Sequence, residues 1–384
     1  MNFIFKQFDY SIFSFSLTSE FDGLHCQIDE SSCNKELLYK IPLDLSSDKL
    51  LPSEDKLIEW LKHRTIPSNR RYVNNFLAKF GLNEKNTLGI ISICYGLSLN
   101  DSYWICPDHE KRTFEKINLY KNKLSRVLSV IAFTGYGSYE KSSFRSSPEF
   151  TTNGMLAKAW RRINGKIYLY KSGTEGAANT GKEPYSEFYA SQIAERMGIK
   201  YIPYSLAMWQ KKLCSTCELF TSEKVSYMPA GNLIKSGGIK SVLEFYKNLG
   251  NDFYDDLIDM FVFDAVILNT DRHLGNFGFL VDAETNTIIS AAPVFDNGLS
   301  LCCYGMDDDF ENIEEYAKSQ QPALYPDFME FAKNVITEKQ IEKLTKLMNF
   351  KFKKHSHYNM EAKRLKKLED LIQFRVKEII KAGK

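Results

Sequence analysis

The sequence predicts an α+β fold in which a β-rich lobe is followed by a helical one, with a further α+β segment ahead of both. Three observations carry this. Asn164-Gly165 separates two strand-like runs, Met155–Ile163 and Lys166–Lys171, and Asn-Gly between such runs is the strongest short-range hairpin signal. A helical stripe and two more strand-like runs follow, giving the order hairpin, helix, strand pair. From Ser222 onward the apolar spacing is helical, interrupted by one short pair of strands. The expected divisions are 1–145, 146–222 and 223–384.

Composition sets the outer bounds. The 384 residues are 43% hydrophobic and 26% charged, with a net charge of +2, ordinary values for a soluble globular chain. Near-neutral charge gives no global pull toward nucleic acid or membrane. No apolar run approaches the roughly 20 residues of a membrane span, and no signal sequence opens the chain, so a cytoplasmic location is expected. The cysteines follow no zinc spacing, since Cys214-Ser-Thr-Cys217 lacks a second pair.

In the first 145 residues, Ile12–Leu17 and Leu24–Ile28 alternate about Asp22-Gly23 and read as a hairpin. A helix capped by Ser53 runs through Leu57, Trp60 and Leu61 to Thr65-Ile66-Pro67; a second carries Tyr72, Phe76, Leu77 and Phe80 before Gly81. Arg64, Arg70 and Arg71 cluster between them and read as a solvated helix face, with a contact for a partner or acidic ligand as the sharper alternative. Gly135–Pro148 reads as a boundary loop.

The Asn164-Gly165 turn fixes a register in which Lys158 faces Lys171. Like charges directly opposite are destabilising, so either the heads splay into water or an anion lies between them. The second alternative is a phosphate site with Thr151, Thr152, Asn153 and Gly154 at its mouth. A helix follows, with Pro184 near its start, a stripe of Tyr185, Tyr189, Ile193 and Met197, and Gly198 as its stop. Glu187 lies at the edge of that stripe. Taken alone it reads as exposed, yet it stands within reach of Lys171, and a strand lysine held by a helix glutamate is half of the kinase arrangement. Ile202–Trp209 and Leu213–Thr221 read as further strands.

Helices over Lys240–Leu249 and Phe253–Leu268 feed a short turn holding Asp271, Arg272, His273 and Asn276. Strands Phe277–Val281 and Thr287–Ser290, turning at Ala283–Asn286, then return the chain to Asp296 beside Asn276. An Asp and an Asn five residues apart repeat the interval between base and metal ligand in a kinase catalytic loop. Asp296, two residues before Gly298, suits a second magnesium carboxylate. A phosphatase-type or nuclease-type metal site uses similar parts, and a structural turn is the plain alternative; this stretch alone leaves them open. The chain closes with an amphipathic helix over Glu361–Ala382, its stripe Leu365, Leu368, Ile372, Val376 and Ile380, its lysine-rich face solvated.

Together these parts resemble the HipA family of bacterial serine/threonine kinases, relatives of the phosphatidylinositol kinases and protein kinases, over roughly residues 145–345. The resemblance implies a bilobal protein-kinase-like fold and an ATP- and Mg2+-dependent serine/threonine protein kinase. Asn269–Asn276 looks like the catalytic loop, making Asp271 the catalytic base, with His273 beside it in the catalytic set, and Asn276 and Asp296 the magnesium ligands. Ile167–Lys171 matches the strand whose lysine holds the nucleotide phosphates, and Ser186–Tyr189 the helix motif that makes Glu187 its partner. Gly154–Lys158 looks like the phosphate loop, adding Gly154 and Lys158 to the nucleotide set, although Leu156 stands where the family usually has Gln. Cys217–Phe220 resembles the hinge, where the backbone of Glu218 and Phe220 meets adenine. A protein substrate with a Ser or Thr acceptor is implied, as is a DNA-binding antitoxin where the relatives are toxins; no direct nucleic-acid or membrane partner is expected. By analogy a regulatory phosphosite falls among Ser146, Ser147, Thr151 and Thr152. The same anchors serve a small-molecule or lipid kinase, and a nucleotide-binding interaction module with little catalysis is the alternative from another class. The first 145 residues show no clear match to the family's amino-terminal subdomain.

Overall fold

The computed structural model describes residues 1–21, 23–46, 51–137 and 147–383. Asp22 of the first expected turn, and 138–146 of the boundary loop with Ser146, lie outside the described residues. The chain divides into two compact units, one of Met1–Tyr170, Leu219–Tyr227 and Leu280–Ile289, the other of Lys171–Glu218, Met228–Phe279 and Ser290–Lys384.

In the first unit, strands β1 (Asn2–Gln7), β2 (Tyr10–Glu20), β3 (Gly23–Asp29) and β4 (Tyr103–Pro107) form a sheet in the order β3-β2-β1-β4. Alternation buries one face. Phe3, Phe5, Phe13, Phe15 and Leu17 pack with Leu57, Trp60 and Leu61 of α1 (Glu54–Lys62), whose first turn is capped by Ser53 accepting from the Lys56 N–H at 3.3 Å. A second core gathers Phe76 and Leu77 of α2 (Val73–Ala78), Ile90 of α3 (Thr87–Cys94), and Leu128 and Ile131 beyond α4 (Phe114–Ile117), in α5 (Arg126–Thr134).

Arg64 and Arg70 are not part of a solvated face. Both are buried. Arg64 donates to the Gly96 carbonyl at 2.9 Å, pairs with Asp101 and lies over the Trp60 ring at 3.7 Å; Arg70 donates to the carbonyls of Thr152 and Lys158 at 2.7 and 3.2 Å. Irregular chain leaves carbonyls without ladder partners, and a guanidinium with five donors can satisfy several at once. The hairpin of β5 (Lys158–Ile163) and β6 (Lys166–Ser172) turns where expected, with Asn164 and Gly165 at φ 50° and 82°, the left-handed pair that a type I′ turn requires. Strand β5 begins at Lys158, three residues later than its apolar run suggests.

The second unit opens with α6 (Glu183–Met197), which has Pro184 in its first turn and Gly198 at φ 76° as its cap. Strands β7 (Tyr204–Trp209) and β8 (Lys212–Glu218) pair antiparallel, Tyr204 opposite Cys217. Strands β9 (Val225–Pro229), β10 (Gly278–Asp282) and β11 (Thr287–Ala291) pair in the order β11-β10-β9 and each has residues in both units. A Cβ on Gly278 would run into the Met228 carbonyl oxygen, so only glycine allows that approach.

Helices α7 (Ala230–Leu233) and α8 (Gly238–Leu249) lead into α9 (Asn251–Ile267). Every residue of α9 from Leu257 to Ile267 is buried, the mark of a helix enclosed by its neighbours. Against it pack α8 and, from later in the chain, α12 (Phe328–Val335), α13 (Glu338–Thr345) and α14 (Ala362–Ala382), while α10 (Asp307–Glu311) and α11 (Ile313–Ser319) pack on each other and α11 on α14. The buried stripe of α14 is Leu365, Leu368, Ile372, Val376 and Ile379, so Ile379 takes the place expected for Ile380. Among the described residues no helix is long and apolar enough to cross a membrane.

Candidate functional site

Helix α9 leads into the turn that carries the candidate residues. Leu268 ends the helix in the left-handed region, at φ 58°, and Asn269 then folds the chain back, its side-chain oxygen accepting the Asp271 N–H at 3.2 Å. The His273 N–H donates to the Asp271 carbonyl at 2.8 Å, and Asn276 Nδ2 donates to the same oxygen at 3.0 Å. His273 is exposed, with Nδ1 accepting the Gly275 N–H at 3.0 Å.

Arg272 locks this turn to the segment after β11. Its side chain is fully buried, and each of its five N–H donors has an acceptor. Nε and Nη2 grip the two oxygens of Asp264 on α9 at 2.9 and 3.0 Å, Nη2 also donates to Asn297 Oδ1 at 2.6 Å, and Nη1 donates to the carbonyls of Asn276 and Phe295 at 3.0 and 2.5 Å. The Thr270 N–H to the Leu299 carbonyl (3.0 Å) and the Leu301 N–H to the Ile267 carbonyl (2.7 Å) continue the seam. Asn276 and Asp296 are thereby brought onto two adjoining loops, as their placement at either end of the strand pair led one to expect.

Lys171, at the end of β6, donates to Glu187 Oε1 of α6 at 3.0 Å and also pairs closely with Asp296 Oδ1. Glu187 is completely buried, not exposed, and its second oxygen accepts the Asn297 N–H at 2.8 Å. Asp296 has φ 54°, its N–H donating to the Tyr204 hydroxyl at 3.2 Å. Burial pulls the Lys171 ammonium down, but the charges of Asp296 and Glu187 outweigh it and raise its pKa. Burial pushes the Glu187 carboxyl up, helped by Asp296 and opposed by Lys171. Asp271 is raised too, first by burial and then by the negative charge of Asp296, while His273 and Lys171 draw it down. One ammonium therefore answers three carboxylates, an excess of negative charge that suits a cation.

Among the described residues no cluster of three or more His, Cys, Asp and Glu side chains is arranged to hold a metal ion. Asn276 and Asp296, on the adjoining loops, instead offer an amide oxygen and a carboxylate, donors of the hard-oxygen type that magnesium prefers.

Gly154, Lys158 and Phe220 belong to the first unit. There Gly154 has φ 94° and a Cβ on it would strike the Lys158 ammonium, which donates to the Asn153 carbonyl at 2.6 Å. Lys158 thus has the Asn153 carbonyl as a partner, and Lys171 the carboxylates of Glu187 and Asp296. Thr151 and Thr152 donate to the carbonyls of Leu97 and Pro148 at 2.8 and 2.6 Å, and Ser147 is buried against Glu149. Phe220 packs on Tyr227 at 5.5 Å; Glu218 is exposed at the end of β8. Sequence reasoning passed over Asp264 and Asn297 and gave Arg272 no role. The signal was there, because an acid inside the apolar run Phe261-Val-Phe-Asp264-Ala-Val-Ile267 demands a buried partner.

A chain of the Shewanella oneidensis MR-1 toxin–antitoxin complex of HipA, HipB and operator DNA superimposes with a TM-score of 0.59 at 12% identity, over 99% of this chain and 99% of that one. The fold is HipA-like. The likeness drawn from the sequence is borne out at that level, and it extends through the first 145 residues, where the sequence shows none. The serine/threonine-protein kinase CtkA of Helicobacter pylori strain J99 is 31% identical over 151 residues, 34% of this chain. The chain spans 46% of the length of that curated relative. The crystal structure of the H. pylori proinflammatory kinase CtkA matches over 59% of this chain and 92% of that one, with 21% identity and a TM-score of 0.46. The chain matches no protein-family model.

Proposed function

We propose that this chain is an ATP- and magnesium-dependent serine/threonine protein kinase of the HipA-like type. The observation that carries the reading is Lys171 held between Glu187 of α6 and Asp296, next to a turn that presents Asp271 and Asn276. A strand lysine, a helix glutamate, a turn carboxylate and two metal-binding side chains are the parts from which kinases are built. The sequence similarity to a serine/threonine kinase over about a third of the chain supports the same chemistry.

In this reading Asp271 orients the acceptor hydroxyl and takes its proton, and its raised pKa makes it a better proton acceptor than an ordinary aspartate. Glu187 holds Lys171 so that the ammonium faces the nucleotide phosphates and stabilises charge that develops during transfer. Asn276 and Asp296 would hold magnesium, which when bound neutralises phosphate charge. Gly154 and Lys158 belong to the phosphate loop, and the backbone of Glu218 and Phe220 to the adenine contact. The divisions 1–145, 146–222 and 223–384 then separate a partner- or substrate-binding part from the two catalytic segments, and a cytoplasmic protein substrate supplies the Ser or Thr. Since the fold neighbour was solved with HipB and operator DNA, an antitoxin-type partner belongs to the proposal.

Incubation of the purified protein with γ-labelled ATP and magnesium, with and without cell lysate, tests this. Labelled protein bands support it. Label confined to small molecules would make the chain a small-molecule kinase, and no label at all would leave a nucleotide-binding module.

A further inference from the structure

Helix α6 presents Glu187 to Lys171 from one side and is gripped along another by chain far from it in sequence. Between α13 and α14, the stretch Phe350–Met360 runs without regular secondary structure. Gln192 treats that stretch as a neighbouring strand: its Nε2 donates to the Lys353 carbonyl at 3.0 Å and its Oε1 accepts the Lys353 N–H at 2.8 Å. Three residues earlier in α6, the Tyr189 hydroxyl donates to Asn359 Oδ1 at 3.0 Å. That same oxygen accepts the His355 N–H at 2.7 Å, and Asn359 Nδ2 donates to the His355 carbonyl at 2.7 Å. Ring contacts fill the space between, Phe188 against His355 at 5.6 Å and Tyr189 against Phe352 at 4.9 Å, both edge to face.

Besides the Ser186 hydroxyl on the Ser300 carbonyl at 3.0 Å and the Asn297 N–H on Glu187 at 2.8 Å, α6 takes hold of this stretch. No side chain caps the amino end of the helix, and Glu187, one turn in, is a fully buried carboxylate whose worth depends on meeting Lys171 in good geometry, because a misplaced buried charge is costly. An irregular stretch has backbone groups to spare, and two amide side chains of α6 and its partner consume them in pairs. The residues that touch the stretch, Phe188, Tyr189 and Gln192, begin immediately after Glu187.

We propose that Phe350–Met360 is a clamp on α6, and that Gln192 and Asn359 are positioning residues that set Glu187 against Lys171. This rests on the kinase reading above, in which the placement of the glutamate helix governs competence.

The experiment uses the full chain with Gln192→Ala, Gln192→Glu, Glu187→Gln and the double variant. Gln192 is half-exposed, so Gln192→Ala removes two hydrogen bonds and no core atoms. Amide exchange in α6 should quicken, and phosphate transfer should fall, each by about tenfold, the equivalent of two modest hydrogen bonds. Gln192→Glu keeps the acceptor for the Lys353 N–H and should restore part of both. With Glu187→Gln already in place, adding Gln192→Ala should lower transfer by no more than about twofold, since coupled residues do not add. Full multiplication of the two losses, or unchanged exchange in α6, overturns the clamp while leaving the kinase reading intact. A wild-type protein that transfers no phosphate overturns the kinase reading, and the positioning role falls with it.

Discussion

Replacing Arg272 by Lys keeps the charge and removes the fork, so it measures what the fork contributes. The guanidinium makes five hydrogen bonds to four residues, with Arg272 at 1% exposure and Asp264 at 0%. An ammonium has three donors on a single point, so at least two acceptors lose their partner and the bidentate grip on Asp264 becomes a single contact. Each buried acceptor left unmet costs about 1–3 kcal/mol, which for two puts the total at about 2–6 kcal/mol. Against a typical total of roughly 5–15 kcal/mol for a folded domain, that is a severe loss. Denaturant unfolding followed by circular dichroism gives the stability. Phosphate transfer, read well below the transition, should drop at least about a hundredfold, because Asn276 and the Asp296 loop lose their common anchor and about 1 Å of misplacement is enough. An Arg272→Lys protein with an unchanged midpoint and near-normal turnover would refute the view that this side chain organises the site.

Three other changes probe separate parts. Asp271→Asn should cut turnover by about a hundred- to ten-thousandfold with no loss of melting temperature, as the side chain is half-exposed. In the wild type the acid limb of the rate profile should lie above the usual aspartate range, since only the ionised form accepts a proton and burial raises its pKa. Lys171→Met leaves Glu187 and Asp296 without their ammonium; ATP affinity measured by calorimetry should fall and stability should drop by about 3 kcal/mol. The variant should regain stability relative to wild type as pH falls, because a carboxyl such as Glu187, raised by burial, binds protons more readily folded than unfolded. That contribution is lost as pH rises through the folded pKa, and a flat pH dependence would contradict it. Gly154→Ala puts a Cβ at φ 94° against the Lys158 ammonium; a cost of about 1–2 kcal/mol, read from the unfolding midpoint, is expected.

What the sequence disclosed was whatever short range decides. The Asn164-Gly165 turn, the Ser53 cap, Pro184 and Gly198 at the two ends of α6, and the turn from Asn269 to Asn276 all rest on conformational preferences of a few neighbouring residues, and all are found in place. Glu187 was different. Nothing near it says that it is buried, for its partners Lys171 and Asn297 lie 16 and 110 residues away. Arg64 and Arg70 misled for the same reason, since a polar side chain on a helix junction looks solvated until the carbonyls it serves arrive from elsewhere in the fold. Strand β9 has no alternation strong enough to announce it. Arg272 could have been inferred from the acid in the middle of α9, had the demand for a counter-charge been followed eight residues on.

The backbone of Asp296 has a bearing on how its side chain should be probed. With φ 54°, between Phe295, whose carbonyl Arg272 holds, and Asn297, whose N–H Glu187 holds, the residue cannot relax into an extended shape without breaking a contact on each flank. Aspartate and asparagine tolerate that conformation better than other residues bearing a Cβ. Truncation to alanine therefore reads two quantities at once, a missing carboxylate and a strained main chain, whereas exchange for asparagine reads the carboxylate alone; the difference between the two isolates the mechanical share.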